Sequence, residues 1–334
     1  MTRLAAKAAF LAAHGWGDAQ CAFLAGDASS RTYDRLWRGN DRAVLMDAPP
    51  GQGDDPALFI KIGGHLRGLG LSAPKVIAQD LTHGFLLLED LGDALFAREI
   101  ASDPAVQSDL YAAATDVLVH LQANEIPIGL PDLTARLWAE AAAFALDWYR
   151  FAIVGTRVDT TDFVQAMTGA LDLFTEGPRV MILRDYHAEN LIWLPERQGL
   201  ARVGLLDFQL AQAGQPGYDL VSLLQDARRD VPQAMEADMI KRFAASTGRD
   251  ADAFRRSYAA LGAQRALRIL GIFARLCLVA GKSGYLAYLP RVWGQLQRNL
   301  AQPGMQDLAR ACECLPQPNL AALEKIGTQC GNFR

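Results

Sequence analysis

Three oxygen-bearing side chains stand at spacings that suit phosphoryl transfer: Asp185 in Arg184-Asp185-Tyr186, Asn190 five residues later, and Asp207 in Asp207-Phe208-Gln209. That chemistry needs one carboxylate to take or orient the proton of an acceptor hydroxyl. It also needs an amide oxygen and a second carboxylate to hold Mg²⁺ against nucleotide phosphates. Any one of these residues is ordinary in a turn, where Asp and Asn bond their own backbone. Their joint spacing is far harder to reach by chance. Two apolar runs, Leu191 to Leu194 and Val203 to Leu206, are separated by a polar turn from Pro195 to Gly199. They predict a short hairpin, with Asp185 and Asn190 in the loop before its first strand and Asp207 ending its second.

The elements that must position this group follow from the rest of the chain. Residues 2–14 read as a helix stopped by Gly15. Cys21 to Leu24, Thr32 to Trp37, Ala43 to Asp47, Lys75 to Ala78 and Gly84 to Leu88 read as strands of an antiparallel sheet. Between the first two strands, Gly26-Asp27-Ala28-Ser29-Ser30-Arg31 is a turn of small residues. Backbone N–H groups and hydroxyls there can approach phosphate oxygens, which makes Ser29, Ser30 and Arg31 nucleotide-binding candidates. Asp54-Asp55-Pro56 opens a helix that carries Lys61. From Ala105 the character turns helical. Leu110, Ala114, Val117, Leu118 and Leu121 form one apolar face, and Leu137, Ala141, Phe144, Ala145 and Trp148 another. Asp219 is placed to cap the helix after Gly217 or to orient the catalytic loop, and Gln264 to Leu278 reads as a helix bearing Arg265, Arg268 and Arg275.

These patterns resemble the aminoglycoside phosphotransferase family of small-molecule kinases, and within it the branch acting on cell-wall amino sugars. The resemblance covers nearly the whole chain, including Gly26 to Arg31, Met46 to Pro50, Gly84 to Asp93, Tyr218 to Leu224 and Gly271 to Leu276. It implies a two-lobed, protein-kinase-like α+β fold. Residues 1–93 would form a sheet-based nucleotide lobe with its hinge at 89–93, and residues 94–334 a mainly helical catalytic and substrate lobe. It further implies that Glu89 and Leu91 belong to the segment whose backbone reads the adenine edge. Asp185 would be the catalytic base, Arg184 its support, and Asn190 and Asp207 the Mg²⁺ ligands. Arg268 and Arg275 would meet an acidic sugar substituent, as arginine does through paired hydrogen bonds. The substrates implied are ATP and an amino sugar, N-acetylmuramate or N-acetylglucosamine, phosphorylated at the anomeric hydroxyl.

Two positions depart from the family pattern. The third strand has Met46 where a phosphate-gripping lysine is usual, with Lys61 the nearest substitute, and Leu183 stands where the family has His before the catalytic Asp. Two rival readings follow. One is a kinase of another alcohol, such as an aminoglycoside or choline, suggested by Asp226, Asp230, Glu236 and Asp238; the other is a silent nucleotide-binding module.

Composition sets the outer bounds. The chain has 334 residues, 51% hydrophobic and 21% charged, with a formal net charge of -4. That suits two globular lobes and gives no general attraction for nucleic acid or acidic membranes. The five cysteines are scattered, with neither a disulfide framework nor paired metal knuckles. No signal peptide or spanning segment is read. The expectation is a cytoplasmic enzyme with no obligate protein partner.

Overall fold

The computed structural model describes residues 2–26, 31–53, 55–175 and 177–333, so Ser29 and Ser30 lie outside the described residues. The chain starts with α1 (Arg3–Ala13), β1 (Gln20–Ala25), β2 (Thr32–Arg38), β3 (Asp41–Asp47), α2 (Pro56–Gly68), β4 (Val76–Asp80), β5 (Phe85–Glu89), α3 (Phe96–Ser102) and α4 (Gln107–Gln122). Then come α5 (Ala135–Ala142), a π-helical turn at Ala145–Arg150, α6 (Phe151–Val154), α7 (Thr161–Phe174) and β6 (Val180–Ile182). Strands β7 (Leu191–Trp193), β8 (Val203–Leu205) and β9 (Gln212–Gly214) precede a helical run. That run is α8 (Tyr218–Leu224), α9 (Gln233–Ser246), α10 (Ala251–Ala280), α11 (Leu289–Leu300), α12 (Gln306–Ala311) and α13 (Leu320–Gly327). The expected α+β order, sheet first and helices after, is present.

By packing, the chain forms two compact units: Met1–Pro127 with Leu183–Ala211, and Ile128–Ile182 with Gln212–Arg334.

The first unit is built on an antiparallel sheet of order β1-β2-β3-β5-β4. Side chains alternate across a strand, and here both faces of the central strands are filled. Leu36, Ala43, Leu45, Phe85 and Leu87 pack with Ala6 and Phe10 of α1 and with Trp16. Val44, Met46, Leu86 and Leu88, on the other face, are buried as well. The helix starts follow the sequence signals. Thr2 accepts the Ala5 N–H at the head of α1, and Asp55 accepts the Ala57 N–H at the head of α2, with Pro56 in its first turn. Two of the family-like stretches prove to be one joint. Ala48 N–H donates to the Gly84 carbonyl at 2.9 Å, and a Cβ on Gly84 (φ 75°) would stand 1.9 Å from the Ala48 oxygen. Asp47 accepts from Arg3 Nε at 2.8 Å, tying β3 to α1.

The second unit is organised along α10, a 30-residue helix against which α5, α7, α8, α9, α11 and α13 pack. The segment expected at Gln264 to Leu278 is only the second half of this helix. The apolar face expected from Leu137 to Trp148 is likewise not one α-helix. It ends at Ala142 and continues as the π-helical turn, where α10 passes so close that a Cβ on Gly271 would lie 2.2 Å from the Phe144 carbonyl carbon. Among the described residues no helix is long and apolar enough to cross a membrane.

Candidate active site

The loop after β6 is folded by its own backbone. Asp185 N–H donates to the Leu183 carbonyl at 3.0 Å around Arg184, whose φ is 72°. A three-residue turn with a positive-φ centre is rare and strained for a side chain other than glycine. It holds because the loop is anchored on both sides. Tyr186 is wholly buried and its hydroxyl donates to the Ala114 carbonyl of α4 at 2.8 Å; Ala97 N–H, in α3, donates to the Ala188 carbonyl at 3.0 Å. Leu183 is 3% exposed, so the position that usually holds His is an apolar core site here. Asp185, between these anchors, stays partly accessible.

Asn190 is fixed to the same loop. Its N–H donates to the His187 carbonyl at 2.8 Å and its Nδ2 to the Asp185 carbonyl at 2.9 Å. With the amide nitrogen engaged, Oδ1 is the end left for a ligand. The expected hairpin follows, pairing Leu191 with Leu205, Ile192 with Gly204 and Trp193 with Val203. Leu206 N–H closes its base by donating to the Asn190 carbonyl at 2.9 Å. Asp207 comes next, so pairing brings Asn190 and Asp207 to one end.

Asp207 also has left-handed backbone, φ 54°; among the described residues, it and Arg184 are the non-glycine positions with positive φ. Each such position costs about 1–3 kcal/mol, and such strain clusters at functional sites. Asp207 Oδ1 accepts from Gln209 Nε2 at 2.9 Å and from Arg31 Nη2 at 3.0 Å. Phe208, beside it, is fully buried with its ring 4.8 Å from that of Phe59 on α2. A Cβ on Gly63 would come 3.2 Å from the Phe208 ring, so glycine permits this close approach.

The donors are an amide oxygen and a carboxylate, both hard oxygen ligands of the kind that hold Mg²⁺ together with substrate phosphates. No donor among the described residues engages the Asp185 carboxylate or Asn190 Oδ1. No group of three His, Cys, Asp or Glu residues able to hold a metal occurs among the described residues.

The remaining candidates fall into place variously. Met46 is fully buried in the core. Lys61 lies on the exposed side of α2. The Glu89 carboxylate accepts from Arg197 Nη2 at 2.6 Å and from Lys75 N–H at 3.1 Å, and Leu91 is buried against Ile192 and Leu194. The cap of α8 is Gly217; Asp219 is the helix's second residue, wholly buried, because the helix begins earlier than the capping reading placed it. Of the arginines on α10, Arg265 is buried and donates to Ser222 Oγ at 2.9 Å, Arg268 is half-buried, and Arg275 is exposed with its guanidinium 5.4 Å over the Trp148 ring. Tyr149 points inward and donates to the Pro316 carbonyl at 2.6 Å. Sequence reasoning missed Tyr186 and Arg197, whose partners Ala114 and Glu89 are remote in the chain, and Gln209, which holds Asp207 two residues away.

With this geometry in view, the comparisons are specific. The model of the phosphotransferase enzyme family matches residues 20–256. The N-acetylmuramate/N-acetylglucosamine kinase of Caulobacter vibrioides is 40% identical, covering 92% of this chain and 94% of that protein. The enzyme of the same name from Pseudomonas aeruginosa is 34% identical, covering 91% and 92%. Among solved structures, a choline/ethanolamine kinase family protein from Mesorhizobium loti superposes with a TM-score of 0.63 at 15% identity, covering 98% of this chain and 100% of that one. The GDP complex of wild-type aminoglycoside 2'-phosphotransferase-IIIa gives 0.61 at 15% identity, covering 90% and 99%. At such identities these structures speak for the fold alone, which is protein-kinase-like.

Proposed function

The chain belongs to the phosphotransferase enzyme family, and from that premise we propose that it is an ATP-dependent sugar kinase acting on the anomeric hydroxyl of N-acetylmuramate and N-acetylglucosamine. The observation that carries the chemistry is the meeting of Asp185, Asn190 and Asp207 on one anchored loop and hairpin. Relatives that carry the substrate name, two of them matched over nearly their full lengths, support the acceptor.

Asp185 takes or orients the proton of the acceptor hydroxyl as the oxygen attacks the terminal phosphoryl group. Asn190 Oδ1 and the Asp207 carboxylate would hold Mg²⁺, which would neutralise charge on the nucleotide's phosphates. Arg184 shapes the loop. Arg31, buried and beside Asp207, supplies the phosphate-facing cation that β3 lacks at Met46, with Ser29, Ser30 and Lys61 as further nucleotide contacts. The backbone of residues 89–93 reads the adenine edge, which makes residues 1–93 the nucleotide lobe and 94–334 the catalytic and substrate lobe. The candidates of the second unit for loop support and for the sugar's acidic substituent are Asp219, and Arg268 and Arg275, respectively. Most of the acceleration comes from positioning and fixed charge. A cytoplasmic setting, where both substrates occur, fits this chemistry.

An aminoglycoside acceptor is less well served. A polycation needs a basin of unspent negative charge. Asp226 and Glu236 are buried, and Asp226, Asp230 and Glu236 pair with Arg229, Arg291 and Arg298 respectively.

The test is ATP consumption with Mg²⁺ against N-acetylmuramate, N-acetylglucosamine, kanamycin and choline, with Asp207→Ala as control. Turnover confined to the amino sugars and abolished in the control is the expected result, with NMR of the product fixing the position. Turnover with kanamycin or choline alone would overturn the substrate, and no turnover at all would overturn the activity.

A further inference from the structure

The hairpin that ends in Asn190 and Asp207 has a second grip at its opposite end. Its connecting loop carries Arg197, whose Nη2 donates to Glu89 Oε1 at 2.6 Å and whose Nη1 donates to Ser72 Oγ at 2.7 Å. The Ser72 hydroxyl donates in turn to the Ala201 carbonyl of the same loop at 2.6 Å, and Ser72 accepts the Leu205 N–H on its own carbonyl at 2.8 Å. Between these polar ties Leu91 packs on Ile192 and Leu194, and a Cβ on Gly204 would stand 3.1 Å from the Leu91 side chain. Glu89 and Leu91 are thus both seated on the hairpin.

From β2, Arg35 holds the rest of the segment. Its Nη1 donates to Asp93 Oδ2 at 2.6 Å, and its Nη2 to Asp90 Oδ1 at 3.0 Å and to the Gly92 carbonyl at 3.2 Å. The carboxylates of Glu89, Asp90 and Asp93 are therefore spent on internal partners, which leaves the turn's backbone as the recognition element.

We propose that Arg197 is a positioning residue for the nucleotide: through Glu89 it sets the 89–93 segment at a fixed reach from the hairpin end that bears Asn190 and Asp207. This rests on the reading that the nucleotide's base binds that segment and its phosphates the hairpin end. Three-residue strands span roughly 10 Å, a length comparable to the reach of a nucleoside triphosphate from base to terminal phosphates. One stiff ribbon thus gauges both ends of the ligand. The ion pair is a third exposed on each side, 30% for Arg197 and 34% for Glu89. Solvent screening keeps its contribution to folding small, so its loss registers in ligand geometry and not in the fold.

The experiment is steady-state kinetics of the full chain with nucleotide and acceptor varied separately, alongside Tm. The variants are Arg197→Ala, Arg197→Lys, Glu89→Gln and the Arg197→Ala/Glu89→Gln pair, with Arg136→Ala, an exposed helix pair with Glu140, as control. The expected result is a KM for ATP raised about tenfold in Arg197→Ala and in Glu89→Gln, with acceptor KM and Tm near wild type. The double variant should be no worse than either single one, Arg197→Lys should recover part of the loss, and the ratio of ATP to GTP use should shift. An unchanged KM for ATP, or nucleotide and acceptor constants rising together with a falling Tm, would overturn the proposal. A wild-type chain that turns over no nucleotide would remove the underlying reading as well, whereas turnover with indifferent variants removes Arg197 alone.

Discussion

Arg31 and Asp207, 176 residues apart in the chain, are joined by a 3.0 Å hydrogen bond from Arg31 Nη2 to Asp207 Oδ1. The arginine is 8% exposed and the carboxylate 41%, so the cation sits in the wall and the anion faces outward. The strand position where the family carries a lysine is the buried Met46. The proposed reading assigns the charge that kinase chemistry requires near the phosphates to Arg31, just ahead of β2, and not to β3.

That assignment predicts the behaviour of Arg31 variants. A hydrogen bond to a charged group is worth about 1.5–3 kcal/mol, or roughly 10- to 150-fold in kcat/KM. Arg31→Met should lose that much in kcat/KM for ATP while the acceptor KM holds, and Arg31→Lys should keep most of it. Nucleotide titrations and initial rates read both numbers; an Arg31→Met enzyme with wild-type ATP kinetics contradicts the assignment.

Gly271 gives a stability prediction. A side chain there would meet the Phe144 carbonyl carbon at 2.2 Å, whereas Gly294 on α11 has nothing within 4 Å of its added Cβ. Gly271→Ala should cost on the order of 3 kcal/mol through overpacking against backbone. Gly294→Ala should be neutral or gain about 0.5–1 kcal/mol from helix propensity. Denaturant midpoints of the two variants, measured side by side, check the contrast.

Much of the fold was legible in sequence because its signals are local. Helix starts at Thr2 and Asp55-Pro56, the alternation in the sheet strands and the spacing of Asp185, Asn190 and Asp207 each act over a few residues, and the structure has them where the patterns put them. What escaped depends on distant partners. Nothing local says that Arg197 reaches Glu89, or that the helix after Ala142 must open into a π turn where Gly271 passes. Acidic residues show the same limit. Asp226 and Glu236 read as part of an acidic cluster suited to a polycation, yet both are buried, Asp226 pairing with Arg229 and Glu236 accepting from Gln225 and Tyr258.

The cysteines predict a pH dependence. Burial pushes the Cys312 thiol up to about 12, and burial with the neighbouring Cys330 thiol does the same for Cys277. Because the folded values lie above those of the unfolded chain, the protonated thiols stabilise the fold fully below the unfolded value of about 9. That contribution is lost as pH rises from there toward 12. Denaturant midpoints should therefore fall across this window, less steeply in Cys312→Ala relative to its own value at neutral pH. In the native protein, alkylation should reach exposed Cys314 and spare Cys277 and Cys312; rapid labelling of the buried pair contradicts this.

The most direct test of the central claim is phosphate transfer from ATP to N-acetylmuramate by Asp185→Asn, with Tm and nucleotide affinity measured on the same preparation. The replacement keeps the side chain's size and removes the group that takes the proton. A folded, nucleotide-binding variant whose kcat falls roughly 10²- to 10⁴-fold is the predicted result. A folded variant that transfers phosphate at the wild-type rate would remove Asp185 from the mechanism.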